Sequence, residues 1–338
     1  ASPGLRTTAW PPESLDPTRD PDGLGPAYEK PRLWTDVFAP GSTFKSFFWA
    51  WATEHGGIAP EKILDTPGPR GSEAWKRFSA PDAKGRMVSR TIRDGHAFPR
   101  STWENALVKS LNTGMAQVAH ERISPNSMEE MLNRFQFRSR TGINMGDAEA
   151  TAIAWKPGDP QYSYIYTHLS LSFGHEISCT PMQLVRAFCA FARPDGNVPL
   201  LTLQRRAPEG SIPVPSFNAI SPQTVLHTKR ALEKVVESGT GQFGVKSDRY
   251  RIFGKSGTAQ MIKFVEAAVR TEGDPSAPEG ESYEWRKIGS LGPYSTADEK
   301  RFLPSFIGAA PFEQPRIVVA CGLQDPDIED RKSTRLNS

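Results

Sequence analysis

Between Phe44 and Trp51 apolar residues recur at helical spacing. Phe44, Phe47, Phe48 and Trp51 stand at i, i+3, i+4 and i+7, which predicts a helix starting near Gly41-Ser42 with that stripe in the core. Gly56-Gly57 ends it. A short helix is expected around Trp103, Ala106 and Leu107, leading into Ser110, and another through Met115, Val118 and Ala119. Thr180-Pro181-Met182-Gln183 joins a capping box to proline at the first helical position. The helix it opens carries Leu184, Val185, Phe188 and Phe191 and stops at Asp195-Gly196. Ser221-Pro222 opens a further helix, with Val225, Leu232, Val235 and Val236, that Gly239 closes. The period then changes. Residues 251–256, 304–308 and 317–321 read as strands. Residues 1–40 are rich in proline and turns, and residues 58–100 read as mostly irregular. The polar stretch from Thr271 to Lys300 reads as an extended or mobile excursion. No internal repeat is evident. The pattern predicts an α+β fold with helices in the middle of the chain and an antiparallel sheet built late.

The chain of 338 residues is long enough for one large domain or two ordinary ones, each with a sizeable core. At 37% hydrophobic and 23% charged residues, it has the balance of a folded body. A formal net charge of +3 gives no ground for a nucleic-acid or anionic-membrane partner. No apolar run approaches the ~18 residues of a membrane span, and the chain opens on Ala1-Ser2-Pro3 without a charged-then-apolar leader. The three cysteines, Cys179, Cys189 and Cys321, form neither a disulfide framework nor a zinc spacing and read as free buried thiols.

The chemistry lies in three short strings that occur in order: Ser42-Thr43-Phe44-Lys45, Ser110-Leu111-Asn112 and Lys255-Ser256-Gly257-Thr258. The first places a hydroxyl and an amine one helical turn apart. The second offers a hydroxyl and an amide at a junction of two helices. The third sets a cation on a small-residue strand that can approach a substrate closely. This ordered triple marks serine acyl transfer. A serine hydroxyl needs a base to take its proton, and a lysine is that base only when neutral. Burial and a second cation both lower a lysine pKa, so Lys255 is expected to act on Lys45. Ser110 and Asn112 are expected to hold the Lys45 amine and relay a proton to the leaving group. The backbone N–H groups of Ser42 and Thr258 are the candidate oxyanion donors.

Several strings imitate these motifs. Ser-x-x-Lys occurs once, but Ser-x-Asn occurs three times, and Ser124-Pro125-Asn126 and Ser216-Phe217-Asn218 fall in turn-like, proline-bearing segments. Ser238-Gly239-Thr240 resembles the third string but has Glu237 in place of the cation. The run from Gly239 to Gly244 fits G-x-G-x-x-G, yet a helix precedes it and a strand follows, the reverse of a dinucleotide site. The six histidines form no metal-binding pair, and His175, beside Gly174, reads as a turn residue within reach of a cleft. No metal or cofactor is implied.

Phe38-Ala39-Pro40-Gly41-Ser42-Thr43-Phe44-Lys45 resembles the nucleophile segment of class B penicillin-binding proteins, the D,D-transpeptidases of cell-wall synthesis. Leu15-Asp16-Pro17, Thr141-Gly142-Ile143, Thr180-Pro181-Met182-Gln183-Leu184, the run from Gly254 to Gln260 and the run from Phe306 to Pro311 continue the likeness, which covers residues 8 to 326. The resemblance implies that Ser42 is acylated, that Lys45 is its base and that Ser110 and Asn112 are the relay pair. It also implies that Lys255, Ser256 and Thr258, with Gly257 between them, bind the terminal carboxylate of a D-Ala-D-Ala stem peptide or a β-lactam. The implied fold is a five-stranded antiparallel sheet flanked by helices beside an all-helical subdomain. The implied setting is the bacterial periplasm or the outer face of the inner membrane, with a glycosyltransferase partner for the parent protein.

Against that family the chain departs in places. The segment Asn144-Met145-Gly146-Asp147 lacks the usual Pro-Gly-Glu. No membrane anchor or N-terminal pedestal is matched, the first sheet strand before Trp10 is partial, and no covering helix follows Val318-Val319. The expectation is therefore a transpeptidase domain over residues 1–330, truncated at both ends and less stable than a longer form, with 331–338 a non-native, adapter-like tail. Two alternatives share the triple. A serine β-lactamase needs a base for deacylating water, and no residue in the sequence stands out for that role. A non-catalytic β-lactam or wall-peptide sensor would hold its label.

Overall fold

The computed structural model describes residues 32–68, 74–143, 149–203, 215–241, 244–260, 262–270, 283–293 and 302–323. The start of the chain with Leu15-Asp16-Pro17, the segment Asn144-Met145-Gly146-Asp147 and the 331–338 tail lie outside the described residues.

After α1 (Arg32–Thr35), a 3-10 turn over Gly41–Phe44 runs directly into α2 (Lys45–His55). The predicted stripe is the centre of the core: Phe44, Phe47, Phe48 and Trp51 are all 0% exposed. Trp49, Ala50 and Ala52 are buried as well, so α2 is enclosed on every side and its apolar surface exceeds one stripe. Phe47 is the hub, with ring centroids 5.2 Å from Phe135, 5.2 Å from Phe137 and 5.4 Å from Phe191. Phe47→Ala should therefore destabilise the fold by about 3–5 kcal/mol, read as a lower midpoint in urea unfolding; an unchanged midpoint would place the core elsewhere.

The chain from 58 to 100 is not mostly irregular. Strands β1 (Ala74–Pro81) and β2 (Met87–Asp94) form an antiparallel hairpin with Phe78 opposite Arg90. Only Ala74, Phe78, Ala80 and Ile92 of these strands are buried, so the apolar alternation is too sparse to read. The readable signal was the turn. Asp82 accepts through Oδ1 from the Lys84 and Arg86 N–H groups at 2.8 and 2.9 Å and pins the reversal.

Helices α3 (Trp103–Val108) and α4 (Asn112–Arg122) follow as predicted, with the second motif between them. Trp49 donates from Nε1 to the Trp103 carbonyl at 2.9 Å, and Trp103 donates to Thr53 Oγ1 at 3.0 Å, which ties α3 to α2. In α5 (Pro125–Arg134) Ser124 is the N-cap, so that Ser-x-Asn string is structural. A π-type turn (Tyr164–His168), α6 (Leu169–Leu171) and α7 (Pro181–Ala192) come next, and α7 carries the full Thr180–Gln183 capping box. Strands β3 (Asn197–Pro199) and β4 (Ser216–Asn218) pair, which places the other Ser-x-Asn string on a strand and not in a turn.

Helix α8 (Pro222–Ser238) ends at Gly239. This glycine is not left-handed, its φ being −101°; space demands it, because a Cβ there would lie 2.6 Å from the Val108 carbonyl oxygen.

The late strands are β5 (Phe253–Gln260), β6 (Ile262–Arg270), β7 (Tyr283–Pro293), β8 (Phe302–Ala310) and β9 (Ile317–Gly322). Strands β5, β8 and β9 form an antiparallel sheet in that order, with Lys255 opposite Ile307 and Ile307 opposite Ala320. Helix α8 packs against β5, and α7 against β8 and β9. Strands β6 and β7 form a separate antiparallel ribbon. Part of the predicted polar excursion is thus a regular strand, residues 283–293, which polar and glycine-bearing composition conceals. The result is an α+β fold, an antiparallel sheet flanked by helices.

Candidate active site

The turn that carries the candidate nucleophile is held in position. Thr43 donates from Oγ1 to the Pro40 carbonyl at 2.7 Å, and the Gly41 N–H donates to the Gly174 carbonyl at 3.1 Å. Thr43, Phe44 and Lys45 are buried while Ser42 is only half-buried, so the hydroxyl-bearing residue is the one left accessible. Strand β5 lies directly against this turn. A Cβ on Gly257 would come within 2.9 Å of both the Thr43 N and Cγ2, which is why the third motif needs glycine at its centre. Thr258, the next residue, is exposed.

The second motif reaches the first through one residue. Ser110 sits at φ 59°, a left-handed conformation that side-chain-bearing residues seldom adopt. It thereby turns both its oxygens to Lys45, whose Nζ donates to the Ser110 carbonyl at 2.6 Å and to its Oγ at 3.1 Å. Asn112 does not share this contact. Its side-chain amide donates to the Arg93 carbonyl at 3.0 Å, so the expected joint grip on Lys45 rests on Ser110.

Lys255 is 0% exposed and donates to the Ser256 carbonyl at 2.9 Å and to Thr240 Oγ1 at 3.4 Å. Ser256 Oγ also donates to Thr240 Oγ1, at 2.7 Å. Thr240, part of a string that imitates the third motif without its cation, is thus the residue that braces that motif. The G-x-G-x-x-G run to which it belongs follows α8, and its Gln242-Phe243 lie outside the described residues.

Burial pushes the Lys45 amine down to about 7, against the opposing pull of the Asp94 carboxylate. Burial pushes Lys255 well below the usual lysine range, and repulsion from Lys45 adds to this. Repulsion between two buried amines is mutual, so burial, the larger cause for each lysine, and the proximity of the two amines all favour a neutral amine in this site. His175 is exposed at the surface, and partial dehydration, then Lys45 and Arg90, push its imidazole below the usual range. Arg90 is held over the rings of Tyr166 and Phe173 and bonded to the Tyr166 carbonyl at 2.8 Å. Glu149 bonds the N–H and hydroxyl of Thr141, so a carboxylate serves Thr141-Gly142-Ile143 although Pro-Gly-Glu is missing. Asp94 was not singled out in the sequence, and Thr240 appeared there only within imitations of other motifs, because each acts only across the fold.

Residues 14–267 match the penicillin binding protein transpeptidase domain. The "Probable peptidoglycan D,D-transpeptidase PbpC" of Pseudomonas aeruginosa is 26% identical over 304 residues, 90% of this chain and 44% of that protein. The chain spans less than half the length of the curated relatives it matches. A peptidoglycan glycosyltransferase structure from Burkholderia ambifaria superposes with a TM-score of 0.65 at 24% identity, covering 89% of this chain and 76% of that one. Penicillin binding protein 3 from Mycobacterium tuberculosis, complexed with aztreonam, gives a TM-score of 0.62 at 25% identity, covering 87% of this chain and 58% of that one. With three-quarters of its length inside the family match and the fold shared across these structures, the chain belongs to the penicillin-binding protein transpeptidase domain family.

Proposed function

We propose that this chain is the catalytic part of a class B, serine-type peptidoglycan D,D-transpeptidase and is acylated by β-lactams. The observation that carries the reading is the Lys45 amine, fully buried, lowered to about 7 and held on Ser110 at 2.6 and 3.1 Å one helical turn from Ser42. Lys45 takes the Ser42 proton as Oγ attacks the carbonyl of the penultimate D-Ala. The N–H groups of Ser42 and Thr258 receive the oxyanion. The proton passes from Lys45 by way of Ser110 to the leaving D-Ala amine, and the acyl-serine ester remains. An acceptor amine then attacks the ester, and its proton returns through Lys45 to Ser42.

Lys255 and Thr258 hold the terminal carboxylate. That anion supplies the counter-charge the buried Lys255 lacks and favours its protonated form. Similar proteins support this reading, one a probable peptidoglycan D,D-transpeptidase and another solved as a complex with aztreonam. The setting follows from the substrate: the outer face of the bacterial inner membrane, with a glycosyltransferase supplying the glycan strands. Among the described residues no helix is long and apolar enough to cross a membrane.

Fluorescent penicillin tests the assignment. A stable adduct supports a transpeptidase or a non-catalytic sensor, rapid loss of label supports a β-lactamase, and no label at Ser42 removes all three. The pH dependence is signed. Only neutral Lys45 accepts the proton, so the acylation rate should rise with pH through a midpoint near 7. A profile flat from pH 5 to 8 would show that Lys45 is not the base. The same depressed pKa makes the unfolded chain bind more protons between about 7 and 10.5, so this group's contribution to stability rises with pH across that window.

A further inference from the structure

We propose that Asp94, the last residue of β2, is a positioning residue for acylation: it clamps the Ser110–Asn112 turn, and its carboxylate acts across the site on the Lys45 amine. Helix α4 begins at Asn112 with Leu111 in the N-cap position, and Leu111 has no side-chain acceptor for the free N–H groups. Leu111 is 2% exposed, so it serves the core. The cap comes from the hairpin. Asp94 Oδ1 accepts from the N–H groups of Asn112 and Thr113, the latter at 3.1 Å, and Oδ2 accepts from the Thr113 hydroxyl. The neighbouring Arg93 carbonyl takes the Asn112 amide at 3.0 Å.

This clamp matters because of Ser110. Its left-handed backbone persists only where its surroundings hold it. On the α3 side, the Ser110 N–H donates to the Leu107 carbonyl at 3.1 Å and the Leu111 N–H to the Ala106 carbonyl at 2.8 Å. On the α4 side, the hold is Asp94. Both contacts that place the Lys45 amine come from Ser110, so loosening the turn displaces the base.

The titratable groups facing Lys45 come from three elements: Asp94 from β2, Lys255 from β5 and His175 from the turn after α6, the last two with their neutral forms favoured. Among the described residues Asp94 is the acid that acts on the amine, and it favours the protonated form. The hairpin thus restrains the base in two ways, by geometry and by charge.

The inference rests on Ser42 and Lys45 being nucleophile and base. The test is the rate of acylation by fluorescent penicillin as a function of pH, with thermal unfolding alongside, for the unaltered protein, Asp94→Asn and Thr113→Val. Asp94→Asn keeps one acceptor for the backbone but loses the charge and the bond from the Thr113 hydroxyl. It should lower the high-pH plateau on the order of 10²-fold and move the acid limb to lower pH. Thr113→Val keeps the charge and should lower the plateau while leaving the limb in place. A structural role alone would not move the limb. An acid limb unmoved in Asp94→Asn overturns the inference while label on the unaltered protein keeps the parent reading; absence of label on the unaltered protein overturns both. If Asp94→Asn does not fold, Asp94→Glu decides. Its charge is kept one methylene out of place, so a lowered plateau supports the inference and unaltered kinetics overturn it.

Discussion

Ser42→Ala should abolish the covalent adduct that benzylpenicillin is expected to leave on this protein, and the intact mass should show the unmodified chain at every time point. The reason is local. Ser42 is the hydroxyl-bearing residue of the 3-10 turn that stays half-exposed, whereas Thr43, its neighbour, is buried with its hydroxyl committed to the Pro40 carbonyl at 2.7 Å. Thr43 therefore cannot take over. Ser46 is also buried, on the core side of α2. The substitution removes one oxygen from a turn held by backbone bonds to Gly174 and by contact with β5, so the melting temperature should barely change. An adduct that survives in Ser42→Ala, located by peptide mapping, would place the nucleophile elsewhere and dissolve the site.

The second large effect separates the two buried lysines. Lys45→Arg keeps a cation but cannot be deprotonated in the working pH range. Acylation should fall by the ~10²–10⁴ of a lost general base, and the pH limb near 7 should vanish with it. Lys255→Arg should be milder and should keep that limb. Its partners, the Ser256 carbonyl and Thr240 Oγ1, are acceptors that a guanidinium also satisfies, and the charge that receives a carboxylate is retained. The loss in Lys255→Arg should appear as weaker saturation by the β-lactam more than as a slower acylation step. Equal losses in the two variants, with the same pH profile, would show that the roles are misassigned.

Parts of this molecule are legible at short range because the controlling interactions are local. The helical period placed Phe44, Phe47, Phe48 and Trp51 in the core, and all four are there. Thr180 and Gln183 cap α7 by bonds three residues apart, and Ser221-Pro222 starts α8 in the same way. The strands at 253–260, 302–310 and 317–322 were found from their own composition. The β1–β2 hairpin escaped because only one strand carries a buried alternation, and residues 283–293 because a polar ribbon looks like a loop until its partner strand is known.

By itself, the sequence determined the kind of chemistry on offer: a hydroxyl and an amine one turn apart on a helix start, a Ser-x-Asn turn between helices and a cation on a glycine-bearing strand. Residue type and local spacing suffice for that. What only the tertiary structure decided is the state of those groups. The Lys45 pKa depends on enclosure by residues far away in the chain. Among the described residues Ser110 grips the amine, while Asn112 is drawn to Arg93. Asp94 enters the site from a hairpin that no motif marks, and Thr240 from just past α8, in strings that only imitate other motifs. Burial, and the direction from which a charge faces an amine, are properties of the packed molecule, because desolvation and Coulomb energy depend on distance in space and not on distance along the chain.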